Sequence, residues 1–304
     1  MKRFLLRLGL CLAVLAALVA SYVLFYVETH AKLPFFANSV CFNAKAKFIA
    51  EHRQLLQESK IVIIGSSMNL YTIDGCQIRD SFHVPVINLA SWGLKFTDFE
   101  KFDIWHNDKD IFINLHFTDF GPSPIYRYSG FPYKADAATN YLNIFLNFAT
   151  YCNHVDQYAE YTRKDSVNEY MSLKFDSTGS VIIPEKPIPI DSPRWNSSTN
   201  IFTDEQMEDL VKAIAYRAKM VHQMVISFSP PRPGHYEAAK SVAVKKFGAR
   251  LRTIPNVLFI NYFDIPVTYG DFIDDCHLSG GGARRYTRLL IDSLKHCITF
   301  HIPE

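Results

Sequence analysis

The chain has 304 residues, 48% of them hydrophobic and 20% charged, and its 32 lysines and arginines against 30 aspartates and glutamates leave a formal charge of +2. That balance excludes a disordered chain, which lacks the apolar residues for a core, and it excludes a nucleic-acid partner, which calls for a basic excess. The 13 glycines and 15 prolines follow no period, which excludes a collagen-like fibre, and no internal repeat is visible.

Charge is spread unevenly. Leu8 to Val27 is a run of 20 residues without a single charge, about 30 Å long as a helix and so matched to the hydrocarbon core of a bilayer. Lys2, Arg3 and Arg7 precede it and Glu28 follows it. The positive-inside rule therefore reads residues 1–27 as a cytoplasmic basic tip and transmembrane anchor, with the main domain periplasmic or extracellular and the lipid bilayer as a partner. Tyr22 and Tyr26 suit the outer interface. A cleaved signal peptide fits less well, because the run exceeds an ordinary signal core and Glu28-Thr29-His30-Ala31 is a poor cleavage site. Of the six cysteines, Cys11 lies in the span and Cys41, Cys76, Cys152, Cys276 and Cys297 lie beyond it. An odd number cannot all pair with one another, and without a C-x-x-C neither a zinc site nor a redox motif is indicated.

Residues 28–57 read as a juxtamembrane linker, to about 41, and a helix from about Asn43 to Glu58. The main domain, 58–304, begins with Lys60-Ile-Val-Ile-Ile64, a short β-branched run stopped by Gly65 and typical of a buried parallel strand. Similar runs recur at Val84–Leu89, Ile111–Leu115, Met224–Phe228 and Val257–Asn261, separated mostly by helical patterns. The clearest helix starts at Thr203, with Gln206 three residues on as a capping box, and runs to about His222. This alternation predicts an α/β fold, a three-layer α/β/α sandwich around a parallel sheet of about five strands, preceded by one transmembrane helix. Residues 121–200 break the rhythm. They are rich in Tyr, Asn, Ser and Pro, including Pro184, Pro187, Pro189 and Pro193, with a short helical hint at Ala137–Asn147, and read as an insertion of the kind that sits near binding sites.

Two segments carry reactive groups. Gly65-Ser66-Ser67 closes the first strand, so a serine hydroxyl is presented at the carboxyl edge of the sheet with a helix start behind it; the same triplet is also an ordinary turn. In Phe272-Ile-Asp-Asp-Cys-His-Leu-Ser279, Asp274 and His277 are three apart and one turn presents both. An aspartate that accepts the imidazole Nδ1 hydrogen leaves Nε2 to take a proton from a serine. A metal site from Asp271, Asp274, Asp275 and His277 is the alternative, but it is oxygen-rich and has no second local histidine. The sequence calls for no cofactor and no metal.

Together with Asn88-Leu-Ala-Ser-Trp-Gly93 after the second strand, and in this order, these segments resemble the blocks of the SGNH (GDSL-type) hydrolase superfamily over about residues 58–298. The resemblance implies a flavodoxin-like sheet, Ser67 as nucleophile, His277 as general base and Asp274 as its orienting partner. It implies an oxyanion hole from the amides of Ser67 and Gly93 and an asparagine side chain. That last block reads His116-Phe-Thr-Asp119 here, so Thr118 stands where the family has asparagine, with a shorter donor. Trp92, His116 or a residue of the insertion is the alternative donor. Ser229-Pro-Pro-Arg-Pro-Gly234-His235 emerges at the same edge; it is a stiff turn, or it sets Arg232 or His235 against an anionic or sugar substrate, with Trp92 and His116 as further substrate contacts.

A Ser-His-Asp site performs acyl transfer. The anchor and the Gly-Ser-Ser motif resemble the envelope branches of the superfamily, which include alginate O-acetylation proteins and the D-alanyl transfer protein of Gram-positive walls. The resemblance implies an O-acyltransferase or esterase, acetyl as the acyl group, a cell-envelope glycan or other ester as substrate, and a multispanning membrane protein as acyl donor. The alternative from another class is a non-catalytic scaffold that holds a glycan or such a membrane partner.

Overall fold

The computed structural model describes residues 1–28, 33–128, 137–164, 172–181 and 201–295. Pro184, Pro187, Pro189, Pro193 and Cys297 lie outside the described residues; the other five cysteines are unpaired.

Ile61–Ile63 (β1), Val86–Asn88 (β2), Asp110–Leu115 (β3), Gln223–Phe228 (β4) and Val257–Asn261 (β5) form one parallel sheet in the order β2-β1-β3-β4-β5. Side chains alternate between faces. Ile61 and Ile63 join Val86, Phe112 and Val225 in one apolar cluster, whereas Val62 and Ile64 join Ile87, Ile111 and Ile226 in the other. Packing on both faces is why these strands read as continuous apolar runs. The first cluster is covered by Gly75–Phe82 (α5) and Gly280–Lys295 (α10), and the second by Val40–Glu51 (α2), Asp204–Ala218 (α8) and Ala238–Leu251 (α9). The expected capping box opens α8: Thr203 N–H donates to Gln206 Oε1 at 2.9 Å and Gln206 N–H to Thr203 Oγ1 at 3.1 Å. Strand order reverses between β1 and β3, and in open α/β sheets the crevice at the carboxyl ends of such strands is where ligands bind.

Three segments differ from expectation. The single helix at Asn43–Glu58 is two, because α2 starts at Val40 with Ser39 as its cap and the chain leaves helical geometry at His52 before Arg53–Glu58 (α3). The stretch after the span is not a free linker: Leu33, Phe35, Phe36 and Ala37 are buried, Ala37 bridges Arg127, and Phe36 N–H and Ala37 N–H both donate to Asn43 Oδ1, at 2.9 and 3.2 Å. The described residues of the insertion hold two helices, Ala137–Leu146 (α6) and Phe148–Arg163 (α7). Only Tyr151, His154 and Val155 are buried on α7, too sparse a stripe to register as helical periodicity.

The N-terminal helix, Lys2–Val27 (α1), is long and apolar enough to cross a membrane. Among the described residues its last turns meet the domain, where Val23 and Val27 pack with Phe35, Ile144, Tyr151 and Val155. Residues 172–181 are tied to the sheet by the buried Lys45, whose Nζ donates to Asn88 O at 3.0 Å and to Gly179 O.

Candidate active site

Ser67 is placed by the end of β1. Gly65 has φ +129°, and a Cβ there would lie 2.1 Å from Asn69 Nδ2, so both conformation and space require glycine. Asn69 fills that space because it latches the segment after β1 to β3: Nδ2 donates to Asn114 O at 2.8 Å, and Oδ1 accepts from Asn114 N–H at 2.5 Å. The chain then turns into Ser67–Thr72 (α4), capped by Ser66, whose Oγ accepts from Met68 N–H at 3.3 Å. Ser67 is the first residue of α4, where a backbone N–H has no intrahelical acceptor. Its Oγ stands 2.8 Å from His277 Nε2.

His277 and Asp274 lie on the loop between β5 and α10, closed by a bridge between Phe272 and Leu278 and by Ile273 N–H donating to His277 O at 2.9 Å. Asp274 Oδ1 accepts from the backbone N–H of Cys276 at 2.8 Å and of His277 at 2.7 Å, which orients the carboxylate. Oδ2 is 2.7 Å from His277 Nδ1. Ser67, His277 and Asp274 thus form one continuous line of hydrogen bonds from three sequence-selected residues. Burial disfavours a cationic His277, but the adjoining Cys276 sulfur and the Asp274 carboxylate outweigh it, so the imidazole holds its proton well above the ordinary histidine range. Tyr71 presses edge-on against the His277 ring, centroids 5.2 Å apart, and its hydroxyl accepts from Trp92 Nε1–H at 2.8 Å. The indole N–H of Trp92 is therefore engaged with protein. Tyr71 had no signal in the sequence beyond its place on the helix after Ser67.

Three groups are candidate oxyanion donors beside the Ser67 amide. Gly93 adopts φ +71°, and its amide makes no hydrogen bond to a described residue. Thr118, on the single turn Phe117–Phe120, does not present a free hydroxyl: Oγ1 lies 3.1 Å from His116 Nδ1. The Thr118 backbone N–H also donates to that nitrogen, at 3.4 Å. Since Nδ1 accepts, the ring proton of neutral His116 sits on Nε2, which has no hydrogen-bond partner among the described residues. Burial, reinforced by the charges of His277, Lys240 and Lys95, pushes the His116 pKa down to about 3, so the ring is neutral. Asp119 holds the turn by accepting His116 N–H on Oδ2 at 2.8 Å, and Lys95 Nζ donates to Thr118 O. Burial, partly offset by Lys95, raises the Asp119 pKa.

His116 and Cys276 line a pocket with Pro231, Arg232, His235 and Lys240. The 229–235 turn thus shares a pocket with His116 and with Cys276, the neighbour of His277. Arg232 is not an open cation, because Nη1 pairs with the buried Asp275 at 2.5 Å and its guanidinium stacks over Tyr269 at 5.4 Å. Among the described residues two clusters bring possible metal ligands within 4.8 Å, Asp274 with Cys276 and His277, and Asp74 with Cys76 and Asp176. In the first, Asp274 already accepts three hydrogen bonds. In the second, Asp176 Oδ1 accepts from Thr178 N–H, Thr178 Oγ1 and Ser180 N–H, so both carboxylates are committed to local structure.

No family model matches the chain, and no curated protein sequence matches it. Among solved structures it is similar, at a TM-score of 0.37 and 14% identity, to a carbohydrate esterase whose active site is described as displaying divergent catalytic and non-catalytic binding functions; the match covers 79% of this chain and 65% of that one.

Proposed function

We propose that the protein is a membrane-anchored SGNH-type serine enzyme, an O-acyltransferase or esterase, that moves an acyl group, acetyl foremost, to or from a cell-envelope glycan. The observation that carries the reading is the line from Ser67 Oγ through His277 to Asp274, with contacts of 2.8 and 2.7 Å. In the reaction, Ser67 Oγ attacks the ester carbonyl while its proton passes to His277 Nε2. The tetrahedral oxyanion collapses, the alcohol leaves with that proton, and an acyl-serine remains. An acceptor, water or a glycan hydroxyl, then gives its proton to His277 Nε2 and attacks, and Ser67 is released with its proton restored. Asp274 keeps the imidazole turned and stabilises its cationic form.

The oxyanion falls to the amides of Ser67 and Gly93 and to His116 Nε2–H. His116 replaces the asparagine amide of the family, and Thr118 acts one step back by fixing the His116 tautomer. The α1 helix holds the domain against the outer face of the membrane, where a multispanning protein supplies the acyl group. The test is labelling of detergent-solubilised protein with a fluorophosphonate probe, together with turnover of p-nitrophenyl acetate. Both are expected in the native chain and lost in Ser67→Ala. A folded native chain that neither labels nor turns over is a non-catalytic scaffold, and the catalytic reading then fails.

A further inference from the structure

Helix α6 is built inside out. Its polar side faces the protein: Asn140 Oδ1 accepts Phe35 N–H at 2.8 Å, and the buried Asn143 donates Nδ2–H to Phe35 O at 3.2 Å. Its outer side carries Leu142, Phe145 and Leu146, exposed at 54%, 58% and 67%. The spacing i, i+3, i+4 sets these three on one stripe of the helix. A helix bathed in water shows the reverse arrangement, with its apolar stripe against the core.

What covers this stripe follows from where α6 sits. Ile144, on the same helix, packs with Val23 and Val27 of α1. Tyr141 O–H donates to Glu28 Oε1 at 2.9 Å, and Phe148, just after α6, meets the Tyr22 ring edge-on at 5.7 Å. All these contacts fall between Tyr22 and Glu28, the level at which the uncharged span ends. There α1 itself exposes Leu24, Phe25 and Tyr26, so both helices carry exposed apolar side chains at this level. We propose that α6 lies in the outer interface of the bilayer that α1 crosses, with Leu142, Phe145 and Leu146 among the acyl chains. The inference rests on the anchor and not on the catalytic reading. It gives the domain a second membrane contact, which limits its rotation about α1 and fixes which side of it faces the lipid.

The test reconstitutes the full chain into phosphatidylcholine vesicles brominated in mid-chain, with one tryptophan added at the stripe (Phe145→Trp or Leu146→Trp) or at a control site on α8 (Tyr216→Trp). All three positions are exposed, so the fold tolerates the change. The proposal expects the emission contributed by Phe145→Trp and Leu146→Trp to be quenched by brominated lipid, and that of Tyr216→Trp to survive. Protein that floats with the vesicles but shows no added quenching at 145 or 146 overturns it, and a blue-shifted, unquenched emission identifies a protein occupant such as a second copy. Protein that fails to float overturns the anchor and this proposal together. Fluorophosphonate labelling of Ser67 in the same vesicles reports on the catalytic reading separately.

Discussion

Replacing His116 with phenylalanine is the sharpest test of the oxyanion assignment. The change keeps a ring in the half-buried slot and removes both nitrogens. The groups that addressed Nδ1, the Thr118 N–H and hydroxyl, sit on an exposed residue, so water takes over their hydrogen bonds and little stability is lost. With a pKa of about 3, only about one ring in 10⁴ carries a second proton at neutral pH. Removing it therefore deletes a neutral donor and leaves the charge around His277 unaltered. Loss of one oxyanion donor costs about 10²- to 10³-fold in rate, or about 3–4 kcal/mol of transition-state stabilisation. The ground-state ester gains little from that donor, so the expected result is a fall of that size in kcat for p-nitrophenyl acetate, with KM and the acid limb of the pH profile unmoved. His116→Asn, which restores an amide N–H, is expected to recover part of the rate. A His116→Phe enzyme within about threefold of the native kcat refutes the assignment, and a loss expressed in KM assigns His116 to substrate binding instead.

Three further outcomes follow from the same geometry. Thr118→Val removes the hydroxyl that addresses His116 Nδ1 but leaves the backbone N–H, so kcat is expected to fall by no more than about tenfold, one neutral hydrogen bond's worth; a fall as deep as that of His116→Phe makes Thr118 the direct donor. Because His277 must be neutral to accept the Ser67 proton and its pKa is raised, kcat/KM is expected to climb with pH through a midpoint above the ordinary value of 6.5. The protonated, Asp274-bound imidazole stabilises the fold fully below the unfolded pKa, and this contribution is lost as pH rises through the folded one. Thermal melting is thus expected to show the native chain losing ground to His277→Gln over the range in which its activity rises, and a midpoint at or below 6.5 contradicts both statements. Arg232→Gln strips the buried Asp275 of its cation, which is expected to cost about 3 kcal/mol in urea unfolding and to be partly recovered in Arg232→Gln/Asp275→Asn; an additive double variant denies the pairing any role.

The sheet was legible because its strands are packed on both faces, fully buried in β1, β2 and β3 and partly so in β5, which turns a strand into an unbroken apolar run. The opening of α8 was legible because its cap is made by side chains three residues apart in the sequence. Helix α7 and the packed segment 33–37 were not. The first hides its few buried groups among Tyr, His and Gln, and the second is held by Asn43 and Arg127, partners that only the fold brings near. The same division runs through the site. Ser67, Asp274 and His277 stand out because each sits at a chain landmark, a strand end or an Asp-x-x-His turn. Their supports, the Asn69–Asn114 latch behind Gly65 and Tyr71 against His277, join residues of no special motif. The link between Thr118 and His116 spans two residues, yet it exists only because the chain closes a single tight turn there.

The insertion shows where pattern reading runs the wrong way round. A stripe of apolar residues at i, i+3, i+4 is ordinarily taken to face the core, since burying apolar surface drives folding in water. On α6 that rule would turn Leu142, Phe145 and Leu146 inward and leave Asn140 and Asn143 in solvent. The backbone of Phe35 decides otherwise. Its N–H and C=O lie in an apolar surround of Val23, Val27 and Tyr151, and an unpaired backbone group in such a place costs about as much as a lost hydrogen bond. The two asparagines satisfy both groups, so the polar side of α6 must face in and the apolar side is left to the medium around the end of α1. Where that medium is lipid the arrangement is favourable on both sides of the helix. The orientation of α6 is thus decided jointly by α1 and by one residue of the segment that follows it.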